Sequence, residues 1–313
     1  MSISTDSHAV VHKFVPGASK PVRRKRPTHG WVPWLFVVPA LVLLAIFFLV
    51  PIIQAVWISL SHWPGAGPVQ LSGTANYTST FESPEFYSSL LLTFLFAIAS
   101  AFGIVAIATI LAAAVSQNVR GARFYRVIWF IPGMAPAAAV AVYWTTAFQP
   151  GIGTVNVLAG ILGLGSNSAP LASAQLAIYP IIFVSIWSGV GFAFILILGG
   201  MEQIPISVYE AAKIDGASPL RQFFSITLPL VRPVLSITAT LNLIWAFNNF
   251  TTVWGMTNGG PGNATTTLPV LVYRTAFVSG DFGDATAIAV VAGAILLALG
   301  FISLRLTQAK SED

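Results

Sequence analysis

PWLFVVPALVLLAIFFLVPIIQAVWISL, residues 33–60, runs for 28 positions without a formal charge. An α-helix rises 1.5 Å per residue, so about 20 apolar residues cross the hydrocarbon of a bilayer. The stretch is long enough to do so. Working outward, the gap from Arg26 to Glu82 is uncharged, as are those from Glu85 to Arg120 and from Arg126 to Glu202. Two more run from Arg232 to Arg274 and from Asp284 to Arg305. The gap ending at Glu202 holds two spans and a turn-rich connection, QPGIGTVNVLAG through LGLGSNSAP. Spans are expected near 33–60, 88–115, 125–147, 174–200, 232–255 and 285–306. The fold class is then all-α: a polytopic membrane bundle of six transmembrane helices.

Composition leads to the same place. Hydrophobic residues make up 56% of the 313 positions and charged residues 8%. Soluble domains carry roughly 25% charged residues, too many for this chain to supply a comparable water-facing surface. Cysteine is absent, which excludes a disulfide framework and a thiol nucleophile. The net charge of +5 is not arranged for nucleic acid. It marks sidedness instead, because Lys and Arg concentrate on the cytoplasmic side of membrane proteins. With six spans, 14 of the 15 basic residues fall on one side and Arg274 alone on the other. Both termini are therefore expected in the cytoplasm.

The apolar stretch after Arg26 is too long for a signal peptide and has no clear small-x-small site before Pro51, so a retained first span is expected. Residues 1–30 read as a basic, disordered cytoplasmic tail, 31–307 as the transmembrane domain and 308–313 as a second cytoplasmic tail. The VRRKR cluster at 22–26 fits topological anchoring or contact with anionic headgroups.

One loop departs from generic membrane sequence: IPISVYEAAKIDGASPLRQFFSITLPLVRP, residues 204–233, in the cytoplasmic segment 202–232. Ser207 and Glu210 have capping-box spacing, which predicts a helix from about Val208. Gly216 can supply the left-handed residue that ends it. Ser218 before Pro219 is an N-cap followed by proline at the first helical position, and starts a second helix. Pro229 and Pro233 separate that helix from the fifth span. Leu220, Phe223 and Phe224 give the second helix an apolar face, to be covered by the bundle or by a partner.

These residues complete a known pattern: Glu210, Ala211, Ala212, three residues, Gly216, nine residues, Ile226, one residue, then Leu228 and Pro229. The chain resembles the permease subunits of binding-protein-dependent ABC importers, of the type I fold. The likeness extends from about Trp34 to Leu306, through WFIPGMAPAAAVAVYWTTAFQPGIGTVN, FNNFTTVWGMTNGGPGNATTTLPVLVYRTAF and DFGDATAIAV. It is strongest to the carbohydrate-uptake branch, of maltose and glycerol-phosphate type. The resemblance implies that the loop is a pair of coupling helices docking into a cleft on an ATPase subunit. Glu210 and Gly216 would shape the docking element. It also implies a bacterial inner-membrane location, a second homologous permease, an ATPase dimer that holds ATP and Mg, and an extracytoplasmic solute-binding protein.

A sugar crossing lipid needs aromatic faces to stack on and amides to replace water. IWSGVGFAF supplies Trp187, Ser188, Gly189 and Phe192, and LNLIWAFNNF supplies Asn242, Trp245, Asn248 and Asn249. Asparagines facing lipid without partners cost several kcal/mol, so these three face the bundle, a partner chain or water. Interhelical hydrogen bonding is the competing role, especially for Asn242. By resemblance, Trp187, Gly189, Phe192, Asn248 and Asn249 are the substrate-pathway candidates. Phe192 stands where relatives can have tyrosine, so a possible hydrogen bond is missing. Pro132, Gly133 and Pro136 predict a kink in the third span.

The chain has no Gly-x-x-x-x-Gly-Lys-Ser/Thr loop, so hydrolysis of ATP is assigned to a separate subunit. Histidines 8, 12, 29 and 62 lie outside the drawn spans, and no carboxylate pair lies within one. No catalytic residues, metal site or bound cofactor are therefore expected. The expected function is passage of a sugar or oligosaccharide through half of a translocation pathway. Import of glycerol phosphate or a polyol derivative is the alternative, and a passive channel or membrane assembly protein a remote one.

Overall fold

The computed structural model describes residues 32–116 and 121–309. The expectations for tail 1–30 and for the last four residues of tail 308–313 lie outside them. Internal contacts divide the chain into two units, Met1–Pro51 and Ile52–Asp313. In the first, α1 (Val32–Leu44) passes through a π turn, Ala45–Leu49, into the start of α2 (Val50–Ser59). The apolar window of Trp34–Ser59 is wholly unburied. A helix apolar on all sides suits lipid or the interior of a protein.

The second unit begins outside the bundle. A short hairpin pairs β1 (Ser61–His62) antiparallel with β2 (Gln70–Leu71), and α3 (Ala75–Glu82) follows. Asn76 fastens this corner, its amide donating to the Ser59 and Ser61 carbonyls at 2.9 Å each. The bundle comprises α4 (Pro84–Val115), α5 (Ala122–Met134), α6 (Ala137–Ala147), α7 (Thr154–Ile161) and α8 (Ile178–Met201). The loop contributes α9 (Ile206–Ile214), α10 (Pro219–Gln222), a π turn at Phe223–Thr227 and α11 (Leu228–Leu230). Then come α12 (Arg232–Phe247), α13 (Thr251–Thr257), α14 (Leu268–Tyr273), a π turn at Arg274–Val278 and α15 (Phe282–Ala309).

Glycine and alanine set how closely these helices approach. A Cβ on Gly103 would sit 2.4 Å from Ile186 Cδ1, and one on Gly189 would sit 2.6 Å from Ile104 Cδ1. Ala108, Ala112 and Ala193 are fully buried beside them. Small residues let α4 and α8 meet at short range, the usual basis of helix association in lipid. A second buried cluster joins α4 and α8 to α6, α12, α13 and α14 through Phe96, Ile181, Phe247, Val253 and Leu268.

The expected spans are present, two of them in altered form. Among the described residues four helices are long and apolar enough to cross alone: Trp34–Ser59, Pro84–Val115, Ile178–Met201 and Phe282–Ser303. Two bent helix pairs raise the number to as many as six. The third expected span is not a kinked helix but two helices meeting at 90°. The break falls at Ala135–Pro136, because proline disfavours helix in the residue before it. Pro132 is carried inside α5. In the fifth, the second bent pair joins Pro219–Leu230 to Arg232–Phe247 at 70°, and the two asparagines lie between the end of α12 at Phe247 and the start of α13 at Thr251.

Candidate functional site

The two interruptions meet. A cavity of about 350 Å³ is lined by Gly133, Ala135 and Ala137 at the α5–α6 break and by Asn248 to Thr252 at the α12–α13 break. Its remaining wall comes from Ile104 of α4, Val140 of α6, Ser185, Ser188 and Gly189 of α8, and Asn242, Trp245 and Ala246 of α12. No lining residue carries a formal charge. Broken helices expose backbone groups that cannot face lipid, so such breaks persist where they line a cavity or are buried in protein.

Of the pathway candidates, Gly189, Asn248 and Asn249 line this cavity, while Trp187 and Phe192 do not. Trp187 packs edge-on to Trp144, with centroids 5.4 Å apart, and Phe192 packs edge-on to Trp245 at 5.3 Å. Phe192 therefore touches the wall residue Trp245 without lining the cavity itself. Gly189 is held there by packing, as its contact with Ile104 shows. The Asn248 amide bonds back to the Ile244 carbonyl at 3.1 Å. Asn249 Oδ1 accepts the Thr252 backbone N–H at 3.2 Å and so caps α13. Asn242 is buried and donates to the Thr238 carbonyl at 2.8 Å, within its own helix. Its bond is thus intrahelical and not the interhelical one considered for it, and it also has a place on the cavity wall. Ser185 was not among the expected residues. Its spacing from Ser188 and Gly189, a stripe of small residues on one helical face, was the available signal.

On the side expected to face outward, TNGGPGN forms a compact knot. Asn258 and Gly259 are left-handed, with φ of +50° and +84°, and a Cβ on Gly259 would meet Thr266 Oγ1 at 2.7 Å. Arg274 donates to Asn263 Oδ1 at 2.6 Å, and Asn263 Nδ2 donates to Glu85 Oε1 at 2.9 Å. The one basic residue expected outside thereby ties this loop to the start of α4.

The segment 202–232 has two short helices, as expected. Gly216 takes φ +77°. Its N–H donates to the Lys213 carbonyl at 3.0 Å, and the Ala217 N–H donates to that of Ala212 at 2.9 Å. Those are the paired bonds of a Schellman ending. Ser218 caps the second helix, accepting the Arg221 N–H at 3.4 Å, with Pro219 at the first position. The first cap differs from expectation. Helix α9 begins at Ile206 after Pro205, and no side chain caps it. Proline fixes the turn two residues early, which places Ser207 inside the helix and leaves no capping box. Tyr209 and Thr227 join the two helices by a hydroxyl–hydroxyl bond of 2.9 Å.

Glu210, Ala211, Gly216 and Pro229 are exposed, Ala212 is buried, and Ile226 and Leu228 are half-buried. The apolar face of the second helix divides: Phe223 packs on the α4–α8 cluster, while Leu220 and Phe224 stay 72% and 61% exposed. A 70° bend at Val231 follows before α12.

Residues 104–310 match the family described as binding-protein-dependent transport system inner membrane component. The chain is 34% identical over 295 residues to the sn-glycerol-3-phosphate transport system permease protein UgpA of Salmonella typhimurium, covering 94% of this chain and 98% of that one. It is 33% identical over 284 residues to the protein of the same name from Yersinia pestis, covering 90% and 95%. Among solved structures it resembles a chain of a bacterial ABC transporter involved in the import of the acidic polysaccharide alginate. The TM-score is 0.78 at 19% identity, over 89% of this chain and 96% of that one. A chain of the MetNI methionine ABC transporter gives 0.53 at 19% identity, over 71% and 94%. At such identities the structural likeness bears on fold alone.

Proposed function

Because this chain belongs to the family of binding-protein-dependent transport system inner membrane components, we propose that its uncharged cavity passes a neutral carbohydrate and that its loop 202–232 receives the stroke of an ATPase subunit. The chain is a multi-pass permease subunit of an ABC importer, and ATP hydrolysis in this family belongs to a separate subunit. The observation carrying the substrate reading is the cavity wall. It offers amides of Asn248 and Asn249, the Ser185 and Ser188 hydroxyls and the Trp245 and Phe250 rings, with no fixed charge. Such a wall can exchange water hydrogen bonds for protein ones around a polyhydroxyl solute. In the full importer the chain pairs with a second homologous permease. An ATPase dimer binding ATP and Mg lies on the cytoplasmic side, and a solute-binding protein on the other. Both termini are cytoplasmic, in line with the distribution of Lys and Arg.

A second reading, import of sn-glycerol 3-phosphate, is favoured by the relatives of that name, 33–34% identical over nearly the whole chain. Uptake into vesicles bearing the complete importer separates the two. The carbohydrate reading expects a neutral sugar, loaded on the binding protein, to stimulate hydrolysis and enter. Stimulation by sn-glycerol 3-phosphate alone would overturn it. Because cysteine is absent, single-cysteine labelling can test topology cleanly. Positions 70, 160 and 265 should label from outside, and positions 120, 215 and 310 from inside.

A further inference from the structure

Arg126, near the start of α5, forms an ion pair with Glu202, the residue that ends α8 and begins the loop. Among the described residues, this is the one side-chain hydrogen bond or ion pair that α5 makes with another element. No described side chain of α5 is buried. Helix α5 also makes close backbone contact with α8. A Cβ on Gly191 would lie 2.2 Å from the Trp129 carbonyl oxygen and 2.8 Å from Phe130 Cα, and one on Gly133 would lie 3.0 Å from the Ser188 carbonyl oxygen. Helix α5 therefore rests along α8, tied by charge at one end. At its other end are Gly133 and the Ala135 break, both on the cavity wall.

We propose that the Arg126–Glu202 pair is a positioning contact: it makes α5 follow the coupling loop, so that movement of the loop reaches the broken helix at the cavity. This rests on the reading of 202–232 as the joint to the ATPase. The eight steps from Arg126 to Met134, the last residue of α5, cover roughly 12 Å of helix axis and end beside the break. The two side chains are 43% and 41% exposed. Pairs so open to water add little to stability, so their loss should spare the fold and change how α5 moves.

The test uses the complete importer in proteoliposomes with loaded binding protein, reading solute transported per ATP hydrolysed alongside pull-down of the ATPase. Arg126→Gln and Glu202→Gln should each keep insertion and ATPase association. Transport per ATP should fall by about threefold or more, within the range that coupling residues command. The reversed pair, Arg126→Glu with Glu202→Arg, should recover at least half of that loss. Wild-type stoichiometry in the single variants would overturn the proposal. So would a reversed pair as poor as the singles, since the two groups would then act separately. Loss of ATPase association in the singles would also overturn it, making these residues part of the docking surface and leaving the joint reading intact. Gly216→Val and Glu210→Lys controls that both keep wild-type association and wild-type stimulated hydrolysis would remove the joint reading, and this proposal with it.

Discussion

The coupling loop and the cavity both interrupt a helical chain, and they are held in opposite ways. In the loop the fixing bonds are local: Ala217 to Ala212, Gly216 to Lys213, Arg221 to Ser218. Space around the Gly216 Cβ position is open, so its conformation alone demands glycine there. Around the cavity, glycines are needed because another helix occupies the space, as at Gly189 against Ile104 and Gly191 against Trp129. A motif closed by its own neighbours can be altered without disturbing the bundle. A seam between distant segments cannot.

The largest difference should come from adding a side chain at each kind of glycine. Gly191→Val drives a methyl-bearing carbon into the α5 backbone, where overpacking costs about 1–3 kcal/mol or more. Accumulation of the inserted chain in membranes should collapse for Gly191→Val and stay near wild type for Gly216→Val. Equal accumulation of the two would erase the distinction.

An intermediate effect is expected inside the cavity. Asn249→Ala removes a wall amide and the α13 cap, the latter worth about 1 kcal/mol, and should depress uptake several-fold with the complex intact. Trp187→Ala should reduce uptake less, since Trp187 packs on Trp144 and does not line the cavity. Initial uptake rates at saturating binding protein would check the order, and a larger loss at Trp187 would return the pathway to that side of α8.

The smallest effect sharpens the account of the loop. Ser207→Ala should leave ATPase stimulation unchanged, because Ser207 is not a cap; a marked loss would restore the capping box.

This contrast also explains what could be read from the residues alone. Span positions followed from charge-free gaps, because water and lipid sort charges wherever the helices later pack. The Gly216 ending and the Ser218–Pro219 start were legible because their partners lie within six residues. Pro136 announced a break, though its 90° angle depends on how α6 packs against α13. The interruption at Asn248–Phe250 has no proline, and only the return of α13 into the bundle reveals it. Ser185 showed only through its spacing from Ser188 and Gly189, while the backbone seam at Gly191 and the Arg126–Glu202 pair join segments far apart in sequence, and no local pattern marks such contacts.

The account's central claim is that segment 202–232 is the joint through which hydrolysis on another subunit moves these helices. A Cβ in a left-handed conformation costs roughly 1–2 kcal/mol, so Gly216→Val should unseat the reversal between α9 and α10. Glu210→Lys reverses an exposed charge on the same element. The decisive measurement is ATPase pull-down together with hydrolysis stimulated by loaded binding protein, in membranes where both variants insert normally. The account predicts that both variants lose association or stimulation; wild-type values of both quantities in both variants would contradict it.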